Sequence, residues 1–131
     1  MDTEQVVRAI YGGWNEDGFD SVARQLQPRV IWRPSGVLPG LDPVYHGHRG
    51  VRRFWDGMKS SWHNFGVSIE RAAVRGELAL FSVTFEGVDR QAGSPVQLSF
   101  SHVWQFEDGL VARCRAFRSE EEALIRAGEL G

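Results

Sequence analysis

His102 is the one ionisable side chain on an otherwise apolar strand face, where Leu98, Phe100, His102, Trp104 and Phe106 recur at a spacing of two. Among such neighbours an imidazole is partly desolvated, which lowers its pKa and keeps it neutral near pH 7. A neutral imidazole in an apolar pocket can serve as a general base or as a hydrogen-bond donor. The same pattern also suits a core histidine satisfied by one backbone carbonyl. His46 stands at the end of a long loop, where it can point into a pocket mouth and pair with Asp42 as a carboxylate–histidine couple. Tyr11 and Trp14 share the inward stripe of a helix, where the plain reading is core packing with the hydroxyl on a backbone acceptor. His46-Gly47-His48 at a helix start, with no nearby carboxylate pair, is a poor ligand set, so no metal is expected and His48 is read as packing or capping locally. No cofactor is expected either.

The elements that must position these residues follow from periodicity. Val6, Val7, Ile10, Tyr11 and Trp14 recur at three and four, predicting an amphipathic helix over about 3–15 with an Asp2/Gln5 capping box. Phe19, Val22, Ala23 and Leu26 give a short second helix stopped before Pro28, and Val30 to Arg33 a short strand. The loop from Pro34 to Tyr45 is long enough to be a lid or binding loop. A third helix over 47–62 buries Val51, Phe54, Trp55, Met58 and Trp62. Strands follow at Phe65 to Val74 and Leu78 to Val88, the second with Ala79, Phe81, Val83 and Phe85 on one face. The long hairpin Val96 to Arg118 turns at Glu107-Asp108-Gly109, since Asp-Gly suits positive φ in a tight reversal. Its polar Ser99, Ser101 and Gln105 imply that only one side of the first arm is buried. Ser119 with Glu122 caps a tail helix through Ala127, stopped by Gly128.

Helices first and strands last make an α+β chain, one domain over 1–131, with helices on one face of a curved antiparallel sheet. A sheet of this length curls, and a curled sheet closed by helices encloses a cone. Interior lining is expected from Trp14, Trp32, Phe54, Trp55, Met58, Phe81, Phe100, Trp104, Cys114 and Ala116. Ala112, Cys114 and Ala116 are assigned to the same side as His102, where three small residues leave volume for a ligand. Arg113 and Arg115 then point outward, to a dimer interface or to water. A cavity of roughly 300 Å³ holding His102 and a second polar group would mark a ligand site. A cone filled instead by Trp32, Trp55 and Trp104 would sink both small-molecule readings, enzyme and binder alike.

Composition narrows the partners. Five Trp, eight Phe and two Tyr in 131 residues imply a large aromatic interior. A net charge of −2 with no basic run argues against nucleic acid and anionic membrane as main partners. The single cysteine, Cys114, excludes an internal disulfide and reads as an inert buried thiol. No apolar run reaches the roughly 18 residues that span a bilayer, and no signal-type segment opens the chain, so a cytoplasmic location is expected.

The segments AIYGGWNEDGFDSVARQLQPRVIW, YHGHRGVRRFW, FSVTFE, HVWQFEDGLVARCRAF and EEALIRAGEL together resemble the SnoaL-like and ketosteroid isomerase-like branch of the nuclear transport factor 2-like superfamily. The resemblance covers essentially the whole chain. It implies a cone-shaped, cystatin-like α+β barrel with a hydrophobic pocket, commonly a homodimer through the outer sheet face. It also implies Tyr11 as a donor to a ligand carbonyl. Ketosteroid isomerases place a Tyr on the first helix, which falls at Ile10 or Tyr11, and a second acid where this chain has His102. Their base falls at Arg33-Pro34, where no carboxylate exists. The Arg-x-Asp arrangement of limonene epoxide hydrolases is also absent, Arg113-Cys114-Arg115 offering no acid. Two functions follow as expectations: a small-molecule enzyme doing cofactor-free isomerisation, cyclisation or dehydration on an apolar oxygenated substrate, with His102, Tyr11, His46 and Asp42 as catalytic candidates, or a hydrophobic-ligand binder of the same fold.

Overall fold

The computed structural model describes residues 2–16, 18–34 and 40–130. Helix α1 spans Thr3–Asn15 and opens on the expected capping box, with Asp2 accepting from the Gln5 backbone and the Gln5 side chain returning to the Asp2 amide. Its stripe Val6, Val7, Ile10, Tyr11 and Trp14 is buried. After α2 (Phe19–Ala23) come β1 (Leu26–Arg33), the two-residue β2 (Tyr45–His46) and α3 (Gly47–Ser61). Strands β3 (Trp62–Arg75), β4 (Leu78–Asp89), β5 (Pro95–Glu107) and β6 (Leu110–Phe117) precede α4 (Glu120–Leu130). Residues 35–39 of the long loop lie outside the described residues.

The six strands form one sheet in the order β2-β1-β6-β5-β4-β3. Register irregularities curl it: β3 carries one between His63 and Gly66, where Asn64 takes φ 54°, and another between Ile69 and Arg71. Helices α1, α2 and α3 pack on the inner face with the main core cluster. The α+β cone expected from the sequence is therefore present. The Asp108-Gly109 reversal also stands, both residues at positive φ.

Several local expectations change. β1 begins at Leu26, not Val30, because its pairing with β6 shifts between Leu26 and Ile31, and that irregularity takes in Pro28, which cannot donate to a ladder. The same pairing is parallel, so the sheet is mixed. A bulge between Gln105 and Phe106 opposes Phe106 to Val111 and Gln105 to Arg113. It turns Val111 into the core and puts Ala112 at the outer groove beside Gln27 and Pro28, so only Cys114 and Ala116 share the His102 side. α4 runs past Gly128, which tolerates helical backbone, and it lies on the outer face. There Ala123 closes a second small core with Leu80, Val103 and Phe117. Both sides of β5 are buried as a result, including Ser101, whose hydroxyl is paired with Ser82 at 2.8 Å.

The α1–α2 joint is tight enough to test. A Cβ on Gly13 would lie 2.7 Å from Cγ2 of the buried Val22. Gly13→Ala is expected to destabilise by about 1–3 kcal/mol in urea denaturation, despite a helix-propensity gain of up to about 1 kcal/mol. Gly12→Ala, with nothing within 4 Å of its Cβ, should leave stability unchanged or raised.

Candidate active site

α1 carries Tyr11 and β5 carries His102 and Trp104, and the inner packing of helix on sheet brings the three together. Tyr11 Oη lies 2.6 Å from His102 Nδ1, both residues being buried. Trp104 Nε1–H donates to the same phenol oxygen at 3.3 Å. An indole nitrogen is only a donor and a phenol has one proton, so the phenol proton is directed at Nδ1. His102 is then the Nε2–H tautomer, and among the described residues no acceptor is paired with that N–H. Burial lowers the His102 pKa to about 3 and raises that of Tyr11 well above its ordinary value, with Cys114 adding to the rise and the Trp104 hydrogen bond opposing it. Both groups are neutral at pH 7. The imidazole's basic nitrogen is already occupied, so what this triad offers to a ligand is a donor, not a base.

The expected lining residues all face this interior. Trp14, Trp32, Phe54, Trp55, Met58, Phe81, Phe100, Trp104, Cys114 and Ala116 are buried in the main cluster. They fill it with one another. Phe100 stands edge-on to His102 at 4.9 Å between ring centroids, Trp104 at 5.5 Å and Trp32 tilted at 6.2 Å. Trp14 stacks on Trp32 at 5.8 Å. The volume expected beside Cys114 and Ala116 is thus taken by rings. None of the principal cavities lined by described residues includes His102 or Tyr11, and the crevice among Trp14, Trp55, Met58, Lys59 and Phe65 is too small for water. A second polar group is stranded in the same box: Trp14 Nε1 is buried without a hydrogen-bond partner. That orphan was not legible in the sequence, because indole orientation depends on packing.

Asp42 and His46 do not join the triad, nor each other. The Asp42 carboxylate takes Arg53 at 3.1 Å on the surface, and that guanidinium in turn covers the Tyr45 ring. His46 is exposed at the N-cap of α3, its side chain making no cap bond. His48 is satisfied locally, its Nε2 bonding the Leu26 carbonyl at 3.0 Å. Cys114 is a buried thiol whose pKa burial raises, consistent with low reactivity.

Comparison with known proteins agrees with this architecture. The family model of the SnoaL-like domain matches residues 7–114. Among solved structures, an NTF2-like protein of unknown function from Burkholderia pseudomallei is similar, at 26% identity, 93% of this chain and 94% of that one, with a TM-score of 0.79. TerC, co-crystallised with polyporic acid, is 21% identical over 93% of this chain and 94% of its own, with a TM-score of 0.77. A candidate SnoaL-like polyketide cyclase from Jannaschia is 16% identical over 94% and 88%, with a TM-score of 0.74. Among curated proteins no sequence matches this chain.

Proposed function

Since the chain belongs to the SnoaL-like domain family, we propose that it acts on an apolar, oxygenated small molecule held inside the cone, with His102 Nε2–H donating to a ligand oxygen. The observation that carries this reading is the Tyr11–His102 hydrogen bond, which fixes a neutral imidazole with its free N–H in an aromatic box. A fixed donor in a low-dielectric site stabilises charge that develops on a carbonyl oxygen during enolisation, aldol-type cyclisation or dehydration. The unpartnered Trp14 indole supports the same reading, since a buried donor without an acceptor is costly and calls for an occupant. TerC, co-crystallised with polyporic acid, supports an organic small molecule as the ligand class. Because the rings meet each other, a ligand must displace them to enter.

Non-catalytic binding is the second reading, and one observation favours it. The groups of the box left over for a ligand, His102 Nε2–H and Trp14 Nε1–H, are donors, and the His102 imidazole takes no proton at neutral pH. Proton abstraction would have to come from the substrate's own groups or from outside the box.

The two readings separate in one experiment. A thermal-shift screen of cyclic ketones, quinones and hydroxyquinones should give saturable stabilisation of the wild type. Hits are then followed by mass spectrometry for turnover. In the enzyme reading His102→Asn lowers kcat by about 10²–10³-fold, the usual effect of removing one such donor. In the binding reading no product forms and only affinity falls. If no compound stabilises the wild type, or His102→Asn binds as well, the box is a solid core and the proposal fails. A homodimer through the outer sheet face belongs to this reading, and a monomer by sedimentation at working concentration would contradict that part.

A further inference from the structure

The packing of the box also makes a continuous chain of oxidisable rings. Trp55, 4% exposed, lines the crevice beside Lys59 and meets Trp14 edge-on at 5.1 Å between ring centroids. Trp14 stacks on Trp32 at 5.8 Å, Trp32 meets Trp104 at 5.4 Å, and Trp104 meets Tyr11 at 5.6 Å. Four of the five tryptophans thus stand ring against ring between the crevice and the Tyr11 phenol. The end of the chain differs from its links in what can take a proton. Trp14 Nε1 is buried without a partner, and the Trp104 N–H rests at 3.3 Å on the Tyr11 oxygen, which is no base. Tyr11 has a basic nitrogen in line with its proton, His102 Nδ1 at 2.6 Å. Tyr45 is the only other tyrosine. Its hydroxyl accepts from the Asp42 backbone N–H at 3.0 Å, and among the described residues no base is paired with its proton.

We propose that the box is also a one-electron relay, carrying oxidising equivalents from Trp55 to Tyr11 and ending in a tyrosyl radical whose proton is held by His102. Indole and phenol give up an electron more readily than the other buried rings, and ring-to-ring contact lets the vacancy pass along the chain. In the entering step a strongly oxidising radical in solution, of the peroxyl class, takes one electron from Trp55 and one proton from solvent and becomes a hydroperoxide. The vacancy then passes through Trp14, Trp32 and Trp104. Neither Trp14 nor Trp104 has a base to which its indole cation could lose the N–H proton, so neither traps it. At Tyr11 an electron leaves for Trp104 and the O–H proton crosses to His102 Nδ1, which leaves a neutral tyrosyl radical and an imidazolium. A resting phenol keeps its proton against so weak a base, but an oxidised phenol is a strong acid. The hydrogen bond that is inert in acid–base chemistry therefore carries the proton here. Burial makes the imidazolium costly. Its proton returns to the phenol oxygen once a soluble reductant of the ascorbate class sends an electron back along the same rings. No ligand enters these steps, so the relay stands or falls apart from the small-molecule reading.

The test is pulse radiolysis of the whole chain with the azide radical, a one-electron oxidant of tryptophan, read by the indolyl and tyrosyl absorptions. In the wild type the indolyl signal should decay into the tyrosyl signal in a first-order step independent of protein concentration. Tyr11→Phe should cut the tyrosyl yield at least fivefold and leave a long-lived indolyl signal, whereas Tyr45→Phe should behave as the wild type does. His102→Asn keeps an acceptor for the phenol but removes the base, and should slow the conversion by about tenfold or more. Trp32→Phe keeps a ring at the centre of the chain but not an oxidisable one, and should slow it as well. Circular dichroism confirms that each variant is folded. Should Tyr11→Phe fail to fold, Tyr45→Phe still decides, because with two tyrosines in the chain an unchanged yield can come only from Tyr11. No tyrosyl signal in the wild type, a yield lost with Tyr45→Phe, a rate that rises with protein concentration, or an unchanged conversion in Tyr11→Phe or His102→Asn would overturn the relay.

Discussion

Trp32→Ala is expected to lower the unfolding free energy by about 3–5 kcal/mol, the range for truncating a fully buried aromatic. Trp32 is 1% exposed and stands at the centre of the box. It stacks on Trp14, tilts against Phe54 at 5.5 Å and meets Trp104 edge-on at 5.4 Å. Those neighbours are themselves pinned by other rings, so the site collapses poorly and most of the cavity cost is retained. Chemical denaturation measures the loss directly. The same variant has a second signature, since the space opened lies between Trp14 and His102. Water admitted there would solvate the imidazole and bring its pKa back toward 6.5. A loss below about 1 kcal/mol would mean that the rings are loosely packed and that the closed interior described here is wrong.

Acid should destabilise this protein through His102 before most carboxylates titrate. The folded pKa is about 3 and the unfolded one is 6.5, with desolvation as the cause. Above pH 6.5 neither state holds the proton, so this group leaves stability flat. Below it the unfolded chain takes up a proton that the folded chain refuses, and stability falls by about 1.4 kcal/mol per pH unit. Between pH 6.5 and 4.5 the loss is about 2–3 kcal/mol. His102→Asn removes the titrating group while its amide oxygen still accepts from Tyr11, so that slope should disappear from the variant. Denaturation curves at pH 4.5, 5.5, 6.5 and 7.5 separate the His102 share from the carboxylates, which both proteins retain. Identical slopes in the two proteins would show that His102 is solvated in the folded state.

What could be read beforehand was what short-range pattern encodes. The spacing of Leu98 to Phe106 located His102 on an apolar face, and Asp108-Gly109 located the reversal that brings Cys114 opposite Trp104. Val6 to Trp14 gave α1 its buried stripe. The parts that stayed hidden depend on non-local registry. Tyr11 reaches His102 across 91 positions, and helix periodicity alone leaves Tyr11 and Ile10 equally inward. Pro28 suggested a break, yet a strand accommodates it at an irregularity in its pairing. The bulge at Ala112 moved one small residue off the inner face and admitted Val111. Nothing in the spacing of Ser99, Ser101 and Gln105 announced that α4 would cover the far side of β5.

The closed interior sets the chemical limits of the site more than any single residue does. An imidazole with its basic nitrogen committed to Tyr11 and its charged form disfavoured by burial is suited to polarising an oxygen, not to abstracting a proton at neutral pH. That is a narrower role than the acid–base pair first expected of His102, and Asp42 with His46 does not widen it.

The most direct measurement of that role is the ¹⁵N NMR spectrum of the His102 imidazole between pH 8 and pH 5. The neutral donor described here requires one protonated and one unprotonated ring nitrogen, with the proton on Nε2 and no change across the range. A titration centred near pH 6.5, or a proton found on Nδ1, would contradict it.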